Sequence, residues 1–240
     1  MATAPLNLEA DVVELTREIC DIESVSGNEK QLADAIEAAL KQYAHLEVIR
    51  DGDAIVARTN LGRAKRVVIA GHIDTVPVAN NLPIQMLSME REQVLYGRGT
   101  VDMKAGVAVQ LKLAATIAEP NSDVTWIFYD HEEVEATKNG LGRLARNRPD
   151  LLESSFAVLC EPTSAQVEGG CNGTMRVDLT FSGVKAHSAR PWMGKNAIHG
   201  AAKALAILSD YQPAEIDVDG LAYRESLNAV IIGGGIATNV

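Results

Sequence analysis

The sequence is poor in cysteine, in clustered basic residues and in long apolar runs. It holds only three cysteines, Cys20, Cys160 and Cys171. The count is odd and forms no CxxC pair, which fits a reducing compartment better than a disulfide framework. Lys and Arg total 22 against 32 Asp and Glu, a net charge of −10, and no dense basic stretch occurs. Nucleic acid and anionic membrane surfaces are therefore not expected partners. The apolar stretches are strand-sized, well below the roughly 18 residues of a membrane-spanning helix, and residues 1–8 lack the basic and apolar regions of a signal peptide. The expected location is the cytoplasm. No internal repeat or low-complexity segment is present. The run Gly233-Gly234-Gly235 has no Lys or Ser/Thr at P-loop spacing and reads as a bulge or turn.

What remains is an ordinary globular composition. The chain has 240 residues, 47% of them hydrophobic and 22% charged. That length suits one large or two small domains. Leu8, Val12, Leu15, Ile19 and Ile22 recur at helical spacing and predict a helix over about residues 8–22. Ser26-Gly27-Asn28-Glu29 has the pattern of a capping box opening a second helix that carries Leu32, Ile36, Leu40 and Tyr43. Short β-prone runs follow at about 47–50, 54–58 and 66–71. The last of these, with 124–129 and 156–159, is continuously apolar, as expected of strands buried on both faces. Helical segments at about 103–118 and 139–147 lie between them. This alternation predicts an α/β sheet with its chemistry at the carboxyl ends of the strands. The pattern changes near Gly173. Alternation over 176–182, a helix over 197–208 and a strand over 227–233 suggest a smaller α+β module.

Several chemistry-bearing groups sit where the apolar strands end. His72 and Asp74 follow the strand 67–70 and, two residues apart, share a face of an extended chain. A carboxylate there can orient an imidazole for metal binding, although the same pair also fits a satisfied histidine beside a turn aspartate. Gly97-Arg98-Gly99-Thr100-Val101-Asp102 resembles a dinucleotide fingerprint but puts Asp102 at the third glycine, where a carboxylate would repel a pyrophosphate. Such a turn suits one fixed carboxylate before a helix instead. His131-Glu132-Glu133-Val134-Glu135 misses the second histidine of HExxH. Two adjacent glutamates can divide the work of metal ligand and general base, or form an acidic surface cluster. Glu161 follows the strand 156–159, and His187 stands alone in a loop of the second module. Five carboxylates gathered at one rim repel one another unless a cation neutralises them.

The ordered motifs Gly-His-x-Asp-Thr-Val-Pro, Gly-Arg-Gly-x-x-Asp-Met-Lys, Glu-Glu, Glu-Pro-Thr and Gly-x-x-x-His-Ser-x-x-Pro resemble those of the aminoacylase and glutamate-carboxypeptidase family of dizinc amidohydrolases. The resemblance spans nearly the whole chain. It implies a zinc-peptidase-like α/β catalytic domain over residues 1–173, with a mixed sheet flanked by helices, and the start of an α+β lid and dimerisation domain over 174–240. It implies two Zn²⁺, with Co²⁺ as a substitute. His72 and Glu161 would bind one ion, Glu133 the other, and Asp102 both. Asp74 would orient His72, Glu132 would act as general base, and His187 would reach the site of a partner subunit in a homodimer and stabilise the oxyanion. Two Zn²⁺, three ligand carboxylates and a bridging hydroxide sum to neutrality, leaving Glu132 ionised. The peptide Asp102-Met103 is expected to be cis.

The runs 167–176 and 234–240 most resemble family members that cleave N-succinyl-LL-2,6-diaminopimelate to succinate and diaminopimelate, a step of lysine and diaminopimelate biosynthesis. The alternatives are deacylation of acetylornithine or another N-acyl amino acid. Cys171-Asn172 stands where other members carry two arginines, one of which binds a substrate carboxylate; Arg176 and Arg190 are the candidates to replace it. The family's catalytic domain resumes after the lid with a final histidine ligand. Ending at Val240, the chain is expected to be part of a longer protein and to lack that sixth ligand. A non-catalytic, metal-binding or dimerising fragment is the alternative of a different class.

Overall fold

The computed structural model describes residues 6–89 and 92–240. They divide into a unit ending at Ala165 and a second unit, Gln166–Val240.

In the first unit, helix α1 is Val12–Asp21 and α2 is Lys30–Leu40, followed by strands β1 Glu47–Asp51, β2 Ala54–Arg58 and β3 Arg66–His72. A pair of strands, β4 Gln85–Met89 and β5 Glu92–Tyr96, precedes α3 Lys104–Thr116, β6 Asp123–Tyr129, α4 Gly140–Asn147 and β7 Phe156–Leu159. Five strands form one sheet in the order β1-β2-β6-β3-β7. The pairings β1–β2 and β2–β6 are antiparallel, whereas β6–β3 and β3–β7 are parallel, giving the expected α/β fold with a mixed sheet.

Strand alternation divides the core into two layers. On one face Ile55, Ala57, Trp126 and Phe128 pack with Leu15, Ile19, Leu32, Ile36, Val107 and Leu111 of α1, α2 and α3. On the other, Val56, Val68, Ala70, Ile127 and Tyr129 pack with Leu144 and Leu151. Asp11 caps α1 by accepting the N–H of Val13 at 2.8 Å.

Two expectations for this unit fail. The box at Ser26 does not cap a helix: α2 begins at Lys30 after Glu29, which makes no side-chain cap bond. The Glu29 carboxylate instead accepts the N–H of Gly27, whose φ of +94° suits glycine, and the Ser26 hydroxyl turns to Asp74. Strand β7 is not buried on both faces. It is an edge strand paired only with β3, and Phe156 and Leu159 are 66% and 53% exposed.

The second unit contains α5 Ala197–Asp210 and a hairpin of β8 Glu215–Val218 and β9 Leu221–Arg224. The strands expected at 176–182 and 227–233 are absent among the described residues, and the hairpin was not foreseen. Alternation alone does not make a strand; it needs a partner ladder and a surface to cover. No described side chain of this unit is buried, so neither condition is met at 176–182 or 227–233.

Candidate metal centre

The parallel register sets the site. His72 pairs with Tyr129 across β3 and β6, and Ala70 with Leu159 across β3 and β7, so three strands end at one rim. The segments leaving that rim carry His72 and Asp74, then Asp130 to Glu133, then Cys160 and Glu161. Asp102 arrives from a turn just before α3.

His72 is buried, and its backbone N–H lies 3.3 Å from the Met103 sulfur. Its Nδ1–H donates to the Asp74 carbonyl at 3.0 Å, which directs Nε2 toward the carboxylates. Nε2 lies 3.1 Å from Asp102 Oδ1 and 3.9 Å from Glu161 Oε2. Ligand atoms of His72, Asp102 and Glu161 all fall within 4.8 Å of one another. One imidazole nitrogen and two carboxylates form a donor set suited to zinc and similar divalent ions. The peptide Asp102-Met103 is cis, as expected.

Asp74 does not join that trio. Fully buried, it accepts the backbone N–H of Glu132 at 2.9 Å through Oδ1, and through Oδ2 the N–H of Glu133 at 3.1 Å and the Ser26 hydroxyl at 2.6 Å. Its Oδ1 is 3.4 Å from His72 Nδ1. Burial opposes its charge, but the bonds from His72, Ser26, Glu132 and Glu133 draw its carboxyl down to about 2. One carboxylate thus ties the histidine to the backbone of both glutamates.

The remaining groups show the electrostatics of a site built around positive charge. Burial opposes the His72 imidazolium, yet Asp74, Glu161 and Glu132 outweigh it and hold the pKa at about 9. Burial, then the Asp102 carboxylate, pushes Glu133 up. Burial likewise raises Glu161, against the pull of His72 and with the push of Asp102, Glu132 and Glu133. The Tyr129 hydroxyl is raised by burial and then by the carboxylates of Glu161, Glu132, Asp74 and Asp102, while its ring stands edge-on to His72 at 6.2 Å. A divalent cation relieves this crowding directly.

Of the candidate residues, His72, Asp102 and Glu161 are brought together, and Glu132 and Glu133 are held beside them through Asp74. His187 lies exposed in the second unit, where its Nδ1 accepts the N–H of Ala189 at 3.1 Å. Sequence reasoning missed a buried polar support under the glutamate loop. Glu29 accepts the N–H of His131 at 3.3 Å, and Arg143 grips both oxygens of Asp130 at 3.0 and 2.6 Å. The signal available was Glu29, whose place in the sequence reads as part of a helix-capping box.

A mixed α/β sheet whose parallel strands deliver a histidine and several carboxylates to one rim defines a candidate metal-binding domain. The profile of peptidase family M20/M25/M40 matches residues 68–227. The chain belongs to that family. It is 50% identical over 98% of its length to the DapE relative of Mycobacterium tuberculosis, covering 66% of that protein. It is 46% identical over 98% of its length to the succinyl-diaminopimelate desuccinylase of Corynebacterium glutamicum, covering 64%. The chain therefore spans just under two thirds of the length of these curated relatives. A tripeptidase from Staphylococcus aureus shares the fold, with a TM-score of 0.65 at 19% identity over 98% of this chain and 64% of that one.

Proposed function

We propose that this chain supplies the metal-binding and proton-transfer groups of a hydrolase that cleaves N-succinyl-LL-2,6-diaminopimelate to succinate and LL-2,6-diaminopimelate. The observation that carries the reading is the convergence of His72, Asp102 and Glu161 within 4.8 Å, next to two glutamates whose backbone Asp74 holds. The relative from C. glutamicum supports the choice of substrate.

In this reading His72, Glu161, Asp102 and Glu133 would hold two Zn²⁺, His72 and Glu161 serving one, Glu133 the other and Asp102 both, with Co²⁺ as a substitute. The ions would supply Lewis acidity, lowering the pKa of water and polarising the amide carbonyl. Asp74 keeps the His72 ring fixed with Nε2 toward the site. The Glu132 carboxylate takes a proton from the attacking water; the water oxygen bonds to the acyl carbon, the C–N bond breaks, and Glu132 returns the proton to the leaving amine nitrogen. His187 accepts at Nδ1, so its neutral ring carries the proton on Nε2, the form that donates to an oxyanion. We assign that donation to the site of a partner subunit in a homodimer joined through the second unit. The free thiols of Cys20, Cys160 and Cys171 support a cytoplasmic setting, and no helix among the described residues is long and apolar enough to cross a membrane.

The test uses the zinc-loaded product of the complete reading frame containing these 240 residues. Its kcat/KM is compared on N-succinyl-LL-2,6-diaminopimelate, N-acetylornithine and a set of N-acyl amino acids. The reading expects the succinyl substrate to lead; a higher value for any other replaces the substrate, and no hydrolysis of any of them removes the activity.

A further inference from the structure

The segment between α1 and α2 reaches the site although nothing in the proposed chemistry uses it. It runs beside residues 73–75 as a short parallel bridge between Val25 and Thr75. Thr75 N–H donates to Ser24 O at 3.0 Å, and Ser26 N–H to Thr75 O at 3.1 Å. The Ser24 hydroxyl donates to Ile73 O at 2.6 Å. These bonds fix the strap along the chain that carries Asp74.

The two serines then diverge. Ser24 binds only backbone, whereas the Ser26 hydroxyl lies 2.6 Å from Asp74 Oδ2, its shortest contact, and 3.4 Å from Thr75 O. Asp74 Oδ2 also accepts the Glu133 N–H, while Oδ1 accepts the Glu132 N–H. At its far end the strap meets the same loop again, where buried Glu29 accepts the His131 N–H at 3.3 Å. The residues before and after the turn into the glutamate pair are thus both tied to residues 24–29.

We propose that Ser26 is a positioning residue: its hydroxyl fixes the rotation of the Asp74 carboxylate, and through it the Glu132–Glu133 backbone and the orientation of His72. The orientation of a buried carboxylate is held by the number and closeness of the donors on both its oxygens. Removing the hydroxyl leaves Oδ2 with the single, longer bond from Glu133. Both oxygens keep a backbone donor, but the carboxylate loses its shortest bond, rotates more freely, and holds the two glutamates less firmly. Changes in groups that support metal ligands typically weaken metal binding by about 10–100-fold.

The proposal rests on the metal-hydrolase reading only for its cobalt measurement, so two readouts are used. Amide hydrogen exchange at Glu132 and Glu133 is measured on metal-free protein, and Co²⁺ affinity and visible spectrum on the loaded protein. Ser26→Ala is expected to speed exchange at both amides by about tenfold and to weaken Co²⁺ binding by about tenfold, with an altered d–d spectrum. Ser26→Thr, which restores the hydroxyl, returns both toward wild type. Ser24→Ala, which removes a buried bond of the same strap, lowers Tm but moves neither readout. Ser26→Ala exchange and Co²⁺ affinity equal to wild type, with only Tm reduced, overturns the proposal. Absence of Co²⁺ binding by the wild-type protein overturns the metal reading instead, and the exchange rates still decide the role of Ser26.

Discussion

His72 Nε2 and Asp102 Oδ1 stand 3.1 Å apart across a separation of 30 residues, one from the end of β3 and the other from the turn into α3. Each reaches this point by a separate route, the first by strand register and the second by the packing of α3 against α1 and the sheet. Their meeting with Glu161 is what a divalent ion requires. Replacing His72 by Ala removes the nitrogen donor from the trio. Zinc affinity, measured by competition with a chromophoric chelator, is expected to fall by more than the ~10–100-fold seen when an outer partner is lost. Unchanged affinity would place the ion elsewhere.

In the proposed mechanism Glu132 acts in turnover and not in metal binding, and the two can be measured separately. Its backbone N–H is spent on Asp74, which leaves the side chain to the site. Glu132→Gln keeps the size and polarity but removes the basic oxygen. Hydrolysis is expected to drop by at least the ~10²–10⁴-fold typical of a lost general base, while zinc stoichiometry stays at the wild-type value. Full turnover in this variant would assign proton transfer to another group.

Gly106 gives a prediction whose sign is decided by magnitude. In α3 a change to Ala gains up to about 1 kcal/mol of helix propensity. A Cβ there would lie 2.6 Å from the Cys160 carbonyl oxygen, part of the backbone leading directly to Glu161. Overpacking of this kind costs about 1–3 kcal/mol, and a backbone carbonyl has no rotamer by which to move aside. Gly106→Ala is expected to lower Tm and to weaken zinc binding together. A rise in Tm would mean that α3 and the Cys160 segment are not held at this distance.

Acid stability has a local source at Asp123. This buried carboxylate accepts the Thr59 hydroxyl and the N–H groups of Leu61 and Arg63 at 2.8–2.9 Å. Burial opposes its charge, but those donors and Arg66 hold its pKa below the usual carboxylate value. Its stabilisation is therefore present above about pH 4, near the unfolded value, and is lost as pH falls through the lower folded pKa. Asp123→Asn should lower Tm at pH 7, and the gap from wild type should narrow below about pH 4. A gap constant from neutral to acid pH would contradict the assignment.

The parts of the fold that were legible in the sequence are those where burial leaves a period. Strands β3 and β6 show as unbroken apolar runs because both faces are covered, and α1 and α2 show a stripe because one face is. The pairs β4–β5 and β8–β9 bury almost nothing, so they leave no pattern to read. Strand β7 has the composition of an inner strand but stands at the edge, because composition does not report which neighbours are present. His72 and Glu161 were legible as candidates from their place after apolar strands, which strand register brings to one rim, and Asp102 from its place in a glycine turn before a helix. Ser26 and Glu29 were misread because the same two residue types at the same spacing can cap a helix or, as here, support Asp74 and the His131 backbone. The bridge between Val25 and Thr75, a long-range contact that local spacing does not report, sets Ser26 against Asp74.

Anomalous diffraction at the zinc edge, on crystals equilibrated with Zn²⁺, decides whether His72, Asp102 and Glu161 hold a metal ion. A peak is expected between His72 Nε2 and carboxylate oxygens of Asp102 and Glu161, at the roughly 2.0–2.2 Å of zinc–nitrogen and zinc–oxygen bonds. No peak there at saturating Zn²⁺, or a peak held by other side chains while this cluster keeps its His72–Asp102 contact, would contradict this metal site.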